Sequence, residues 1–259
     1  AGRLKSADSW EFEYDANGNR VKSTQYGFLE TLATYDTEDR LLSFGDRTYT
    51  YDANGARQTQ TENGTETRYR YDNLGALKSV MQSGQTIDYI TDATGRRVGR
   101  KVNGSVESYF TYQDSLRPIA QYNADGSIRW TIVYAERMNV PSLLISRDGT
   151  RYRVVSDHLG SVRLIINTLN GQIAQRMDYD VWGKVTYDSN PNFQPFGFAG
   201  GLYDSATELV RFGARDYDPH VGRWLSKDPI GFAGGDTNLY GYVVQDPVNW
   251  EDPIGHGKI

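Results

Sequence analysis

Residues 51–75 read YDANGARQTQTENGTETRYRYDNLG and contain one full period of the pattern that decides the fold. The period begins with YDANG at residues 51–55, passes Asn63-Gly64 and starts again at Tyr71. An Asp followed three residues later by Gly predicts a type I turn, in which the carboxylate accepts hydrogen bonds from the turn's own amides. Asn-Gly predicts a type I′ hairpin turn, since both central residues need a positive φ. The residues between these turns alternate like a strand.

The same period continues along the first half of the chain. Glycines at 55, 64, 75, 84, 95 and 104 are separated alternately by 9 and 11 residues, which gives a period of 20. Each period predicts two strands and two turns, and neighbouring hairpins must pair to bury a shared face. The predicted fold class is all-β, a spiralling antiparallel sheet of tandem hairpins that ends in a small irregular domain. Further Tyr-Asp turns, some degenerate, begin at Tyr14, Tyr35, Tyr71, Thr91, Tyr122 and Tyr179.

Composition favours strands and argues against several classes of function. The 19 Tyr and 27 Gly among 259 residues suit strands and turns. A net charge of −5 argues against nucleic acid as a partner. Without cysteine there is no disulfide framework, thiolate metal site or thiol nucleophile. No apolar run is long enough to span a membrane, and we predict no metal and no cofactor.

The chain divides into three regions by its pattern. We predict a regular hairpin array over residues 1–135, degenerate repeats that continue the sheet over 136–200, and a different domain over 201–259. The chain begins without Met, and we expect it to be a fragment of a longer protein.

Asp-Pro pairs concentrate in the last region. Four of the eight prolines directly follow an aspartate, and these aspartates are Asp218, Asp228, Asp246 and Asp252. One interpretation is a string of surface turns that closes off the sheet, because the residue before Pro favours an extended or turning backbone. The other is a cluster of carboxylates, in which like charges raise one pKa and create an acid–base pair. The residues alone favour the surface turns.

The chain resembles the Rhs (rearrangement hot spot) or YD-repeat family over essentially its whole length. Its Tyr-Asp repeats are shared with the C subunits of Tc toxin complexes and with teneurins. A C-terminal block resembles the Rhs core-associated domain more specifically. The segments that match this domain are FAGGLYD at 198–204, RFGARDYDP at 211–219, GRWLSKDPIG at 222–231, DTNLYGY at 236–242 and DPVNWEDPIG at 246–255, whereas DHLGS at 157–161 belongs with the repeats in the resemblance to the family as a whole.

The resemblance implies a β-sheet cocoon that encloses a variable C-terminal toxin, with the core-associated domain as a plug. In that family the plug acts as an intramolecular aspartyl protease, and the resemblance implies the same activity here, with no external substrate. It cuts just after a Pro-x-x-x-x-Asp-Pro-x-Gly-Leu motif, which here begins at Pro247 and ends at Gly255-His256. His256 stands where the family usually has Leu, and the predicted cleavage site comprises Gly255 and His256.

The resemblance also implies partners and a location. The partners are a C-terminal toxin domain, which these 259 residues lack, the upstream shell repeats of the same protein, and a secretion-system spike or adaptor. Type VI secretion and bacterial competition are the implied setting. The protein would reside in the bacterial cytoplasm before export and then be secreted or delivered to a target cell.

Aspartyl proteolysis requires two carboxylates close together, one to activate water and one to supply a proton. Asp228 is the first candidate. Asp216 is the second, with Arg215 beside it to hold a carboxylate or an oxyanion. Asp246 is the third candidate, and Asp204 and Asp218 are further possible catalytic aspartates. Asp252 is expected to shape the substrate segment.

The rival function is a carbohydrate- or protein-binding β-repeat scaffold without catalysis. Its basis is the set of five Trp residues at 10, 130, 182, 224 and 250, which could stack on sugars. Trp is also a large core residue, and we favour that interpretation. Asp157, His158 and Ser161 could suggest a catalytic triad, but their adjacency favours a structural turn.

Overall fold

The computed structural model describes residues 2–258 and confirms a chain built almost entirely of β-structure. Nineteen strands form one meander, in which each strand pairs antiparallel with the next along the chain. We call β1–β19 the outer sheet. Its strands are β1 (Ser6–Ala7), β2 (Trp10–Tyr14), β3 (Arg20–Gln25), β4 (Leu29–Tyr35), β5 (Leu41–Phe44), β6 (Arg47–Tyr51), β7 (Arg57–Glu62), β8 (Thr65–Tyr71), β9 (Leu77–Gln82), β10 (Gln85–Thr91), β11 (Arg97–Val102), β12 (Ser105–Tyr112), β13 (Pro118–Asn123), β14 (Ile128–Val133), β15 (Leu143–Ser146), β16 (Arg151–Ser156), β17 (Val162–Asn167), β18 (Ile173–Tyr179) and β19 (Val185–Asp188).

The turn chemistry predicted from the repeat is confirmed. Asp52 accepts hydrogen bonds from the amides of Asn54 and Ala56, both at 2.9 Å. The Asn-Gly turn has φ of 48° at Asn63 and 77° at Gly64, which are the two positive values that a type I′ turn needs. The repeat aspartates therefore satisfy backbone amides of their own turns.

The repeat tyrosines tie successive copies together. Tyr35 donates its hydroxyl hydrogen bond to the carbonyl oxygen of Arg20 at 2.9 Å, and Tyr112 donates to that of Arg97 at 2.8 Å. Each bond joins the last residue of one strand to the first residue of the preceding strand. Neighbouring hairpins are thereby fixed by side-chain bonds as well as by the ladder.

The outer sheet is open, because its edge strands β1 and β19 do not pair with each other. The two ends nevertheless approach, since the rings of Phe12 and Trp182 meet edge to face at 5.4 Å. The sheet therefore curls around the residues that follow it. No helix within residues 2–258 has the length and apolar character that a membrane crossing requires.

The C-terminal segment, residues 190–258, lies against the inner face of the outer sheet. It contains an inner sheet of four antiparallel strands and a buried aromatic cluster around Tyr217, whose ring lies 4.4 Å from that of Tyr242. The cluster also contains Phe198, Phe212 and Trp224. The inner strands are β20 (Leu202–Asp204), β21 (Leu209–Phe212), β22 (Arg215–Asp218) and β23 (Arg223–Trp224).

Contacts to the C-terminal segment come from all along the outer sheet. Arg20 of β3 binds the carbonyl oxygen of Val221, and Trp130 of β14 binds that of Phe193. Between them, Tyr240 donates its hydroxyl hydrogen bond to Gly55. The outer sheet thus wraps around the C-terminal segment. Of the five Trp residues, 130, 182 and 224 are buried in this packing.

The surface-turn interpretation of the Asp-Pro pairs is wrong. Asp218, Asp246 and Asp252 are at most 8% exposed, and the side chain of Asp228 is 8% exposed. The turn chemistry is present, since Asp228 and Asp252 do bond nearby amides. The wrapping of the outer sheet buries these turns, and no local pattern in the sequence reports that.

Candidate active site

The outer sheet presents buried arginines at the start of every fourth strand in its first half. Arg20, Arg57 and Arg97 begin β3, β7 and β11, six residues after Tyr14, Tyr51 and Thr91. The same position holds Leu41 and Leu77 in the intervening strands. The sequence analysis missed this alternation, although it can be read from the aligned repeats.

Two of these arginines bind aspartates of β22. Arg57 lies 2.5 Å from Asp218, and Arg97 lies 2.8 Å from Asp216. Arg211 of β21 takes the second carboxylate oxygen of Asp216, also at 2.8 Å. All these side chains are at most 7% exposed. Buried charges of this kind are tolerated only in pairs.

Strand alternation in β22 separates two groups of side chains. Successive side chains of a strand point to opposite faces, so Asp216 and Asp218 face the outer sheet. Arg215 lies on the other face, where its guanidinium stacks over the ring of Trp224 at 4.1 Å. The inner sheet therefore presents its carboxylates to the outer sheet, which forms the wall around it, and presents Arg215 to the last residues of the chain.

Arg215 brings two Asp-Pro aspartates to one point. Its Nη2 lies 2.7 Å from Asp228 and 3.3 Å from Asp252. Its Nε donates a 2.6 Å hydrogen bond to the carbonyl oxygen of Gly255. One guanidinium thus contacts two carboxylates and the backbone of the predicted cleavage segment. Burial lowers the pKa of Arg215, although both aspartates oppose the shift.

Asp252 binds three consecutive amides of that segment. Its Oδ1 accepts from Gly255 and His256 at 2.8 and 3.0 Å, and its Oδ2 accepts from Gly257 at 2.9 Å. Burial raises the pKa of Asp252 above its ordinary 3.8, even though Arg215 and the three amides lower it. The protonated form of this carboxyl group is therefore favoured relative to that of an exposed Asp.

The carbonyl oxygen of His256 and the carboxylate of Asp228 both lie close to Gly234. A Cβ atom on Gly234 would lie 2.8 Å from Asp228 Oδ2 and 2.9 Å from the His256 oxygen. Such contacts are too short for a side chain. Glycine at this position keeps the space between the carboxylate and the peptide carbonyl open.

A small cavity adjoins the two aspartates. Its volume is about 20 Å³, and it is lined by Arg215, Asp228, Asp252 and Gly257 together with Asp236. A water molecule needs roughly 10–15 Å³ of such space and several polar partners. The cavity is therefore of the right size and polarity for one water. Asp236 is a third carboxylate here that the sequence analysis did not single out.

A strained turn forms another wall of this cavity. Val243, Val244 and Gln245 have φ of 43°, 51° and 65°, and both valines line the cavity. A positive φ is unfavourable for a β-branched residue and commonly marks a functional site. The turn is held from outside by the Leu4 amide, which donates a 2.8 Å hydrogen bond to the Gln245 carbonyl oxygen.

The structure brings together some of the predicted residues and not others. Asp228, Arg215, Gly255 and His256 meet, and Asp252 joins them. The remaining candidates lie elsewhere: Asp216 binds Arg97 and Arg211, Asp246 accepts from the side-chain amide of Asn249, Asp204 binds Arg100 and Tyr89, and Asp218 binds Arg57.

The other constellations have structural roles. Asp157 accepts the amides of Leu159 and Ser161, as the turn interpretation predicts. Ser161 Oγ accepts the amide of Ala199, and His158 Nε2 lies 2.9 Å from the Val248 oxygen. Among the described residues, no group of three or more His, Cys, Asp or Glu side chains is arranged to hold a metal ion.

Comparisons with known proteins agree with this architecture. A model of the teneurin YD-shell family matches residues 2–248. Teneurin-3 of Mus musculus is 32% identical over 93% of this chain, and the tRNA3(Ser)-specific nuclease WapA of Bacillus spizizenii is 31% identical over 95% of it. This chain spans only 9% and 11% of those two proteins. The crystal structure of TcdB2-TccC3 shares the fold, with a TM-score of 0.57 and 19% identity over 95% of this chain and 17% of that one.

Proposed function

This chain belongs to the teneurin YD-shell family of Rhs and YD-repeat proteins, and on that premise we propose that it is part of a toxin shell that cuts its own backbone after His256. The observation that carries the proposal is the position of Arg215, which contacts Asp228, Asp252 and the carbonyl oxygen of Gly255. Two carboxylates and a peptide segment are thereby held within hydrogen-bonding reach of one side chain. That is the constellation an intramolecular aspartyl protease needs.

The geometry supports the His256–Gly257 bond as the one that is cut. The His256 carbonyl oxygen and Asp228 both lie beside Gly234, and Asp228 can take a proton from a water in the adjoining cavity. The hydroxide adds to the His256 carbonyl carbon. Asp252 Oδ2 already bonds the nitrogen of Gly257 and, when protonated, supplies the proton that the leaving amine requires. The C–N bond breaks, and one water is consumed to give a carboxyl group on His256 and an amine on Gly257.

Arg215 and the amide bonds of Asp252 fix the segment before the scissile bond. The Arg215 Nε–Gly255 bond and the two amides on Asp252 Oδ1 leave the peptide little freedom. A preorganised peptide reacts faster because its orientation cost has been met during folding. Arg215 also limits the repulsion between the two carboxylates.

Encapsulation is the second part of the proposal. The outer sheet supplies a wall, and residues 201–259 act as the plug that the wall surrounds. Since this chain spans 9% to 17% of the matched proteins, the complete shell needs the upstream repeats. The cargo would be a C-terminal toxin released inside the shell. Delivery through a secretion-system spike or adaptor, as in type VI secretion, would make the complex an agent of bacterial competition.

Cleavage can be tested with a reporter domain fused after residue 259. We expect the purified fusion to separate into two bands on a denaturing gel, and Asp228→Asn to leave one. Asp246→Asn is the matched control, since Asp246 is also a buried Asp before Pro but, among the side chains that the structure describes, bonds only Asn249. A folded wild-type fusion that stays intact contradicts the proposal, as does equal loss of cleavage in both variants.

A further inference from the structure

We infer that Arg97 of the outer sheet is a positioning residue for the cut: it holds Asp216 and so keeps Arg215 aimed at the scissile segment. The inference rests on the proposed self-cleavage and adds a dependence on the wall. The cutting machinery lies wholly within the C-terminal segment, whereas Arg97 lies on β11. The cut would then require the outer sheet to be folded around the inner one.

Arg97 and Arg211 bind the carboxylate of Asp216 from two sides. Arg97 Nη2 binds Oδ1 and Arg211 Nη1 binds Oδ2, each at 2.8 Å. Since each oxygen has its own arginine, the carboxylate is held in both position and rotation. Asp216 is 3% exposed, so water cannot replace a lost partner.

Asp216 is the immediate neighbour of Arg215 in β22. A shift of the Asp216 carboxylate towards Arg211 would move the strand backbone that also carries Arg215. The 2.6 Å bond to Gly255 and the 2.7 Å contact to Asp228 depend on that backbone. Displacements of about 1 Å at a reacting site slow reactions on the order of 100-fold.

Arg97 is itself rigidly placed. Its guanidinium lies 3.5 Å from the centre of the Tyr89 ring, and the Tyr89 hydroxyl donates a 2.8 Å hydrogen bond to Asp204 of β20. Arg97 therefore connects β10 and β11 of the wall to the inner sheet at one place. Arg57 makes a comparable buried pair with Asp218, three residues from Arg215, and so offers a matched control.

The test compares Arg97→Met with Arg57→Met in the reporter fusion. Both variants remove one buried ion pair between wall and plug, so both should lower thermal stability to a similar degree. We expect cleavage to slow on the order of 100-fold in Arg97→Met and by less than about tenfold in Arg57→Met. Arg97→Lys, which keeps the charge, should recover part of the rate. Equal slowing in both Met variants overturns the inference.

A double-mutant cycle separates positioning from packing. If Arg97 acts through Asp216, Arg97→Met should have a much smaller effect in an Asp216→Asn background. Independent, additive effects on the cleavage rate count against the inference.

A readout without cleavage distinguishes the two proposals. The Arg215 Nε–H resonance in a protein NMR spectrum reports its bond to Gly255. We expect Arg97→Met to shift this resonance and speed its exchange with solvent, and Arg57→Met to leave it in place. The wild-type fusion could stay uncut while the resonance still shifts in Arg97→Met and not in Arg57→Met. That result would support the positioning role of Arg97 and contradict the proposed self-cleavage. An unchanged resonance in folded Arg97→Met refutes the positioning.

Discussion

The aspartates of the outer sheet and those of the C-terminal segment follow the same local rule but have different roles. Asp72 in the repeat and Asp252 near the chain's end both accept amides of their own turn. Among the described residues Asp72 has no arginine within ion-pair distance, whereas Asp252 meets Arg215, which lies 37 residues away. Local sequence makes the turn in both places. The packing under the outer sheet is what brings the second kind of aspartate into contact with a buried arginine.

The largest expected difference between the two regions is in stability. Asp218→Ala leaves the buried Arg57 without its partner, and breaking a buried pair in this way costs about 3–5 kcal/mol. Asp72→Ala removes two turn hydrogen bonds near the surface, at about 0.5–1.5 kcal/mol each. Urea unfolding of the two variants measures the difference. Equal losses would mean that the two kinds of aspartate do not differ energetically.

Glycine substitutions extend the comparison of the two regions from stability to cleavage activity. Gly234→Ala inserts a methyl group between Asp228 and the His256 carbonyl, and we expect cleavage to slow on the order of 100-fold. Gly64→Ala in the repeat meets no atom within 4 Å but has a φ of 77°, so it should cost about 1–2 kcal/mol of stability and leave cleavage unchanged. Cleavage rates of the two variants, measured in the reporter fusion, test this expectation. Normal cleavage by a folded Gly234→Ala protein would remove Asp228 from the mechanism.

Acid unfolding distinguishes buried from exposed carboxylates. Burial raises the pKa of Asp218, but Arg57 and His220 outweigh it and the net shift is downward. Partial burial likewise opposes the bonds from Thr94 and Arg96 that lower the pKa of Asp92 to about 2. A folded-state pKa below the unfolded value of 3.8 adds stability above pH 3.8, which is lost as the pH falls through the folded-state pKa.

Salt concentration should separate the contributions of Asp218 and Asp92 to stability. In 1 M salt the screening length is about 3 Å, which weakens exposed pairs and largely spares buried ones. We therefore expect Asp218→Asn to flatten the acid loss of stability in both low and high salt, and Asp92→Asn to do so mainly in low salt. Urea midpoints between pH 5 and 2 measure this. The expectation fails if high salt abolishes the effect of Asp218→Asn.

The smallest expected effect concerns the strained turn. Left-handed positions of the repeat are occupied by Asn63 and Gly64, whereas the turn beside the cavity uses Val244 at a φ of 51°. Val244→Gly should relieve strain and raise thermal stability by the equivalent of about 1 kcal/mol. Cleavage should not accelerate, since the turn lines the cavity and supplies none of the proposed catalytic groups. A destabilised Val244→Gly protein would show that the conformation carries no strain.

The hairpin array could be predicted from sequence because its causes are local. Asp52 bonds residues two and four positions away, and Asn63-Gly64 needs only its own φ values. The candidate site could be predicted only in part. Asp228, Arg215 and residues 255–256 were named, but the exclusion of Asp216 depends on Arg97, which lies 119 residues away. No spacing in the chain encodes such a contact, and the arginine alternation is the one sequence signal that hints at it.

The most direct measurement is intact-mass analysis of the reporter fusion produced by cell-free synthesis in water enriched in oxygen-18, so that any cut occurs in labelled water. The account predicts two products, one ending at His256 with a single heavy oxygen in its new carboxyl group and one beginning at Gly257. Asp228→Asn should yield only the uncut mass. A break at Asp252–Pro253, a break without heavy oxygen, or a folded fusion that never breaks would contradict the account.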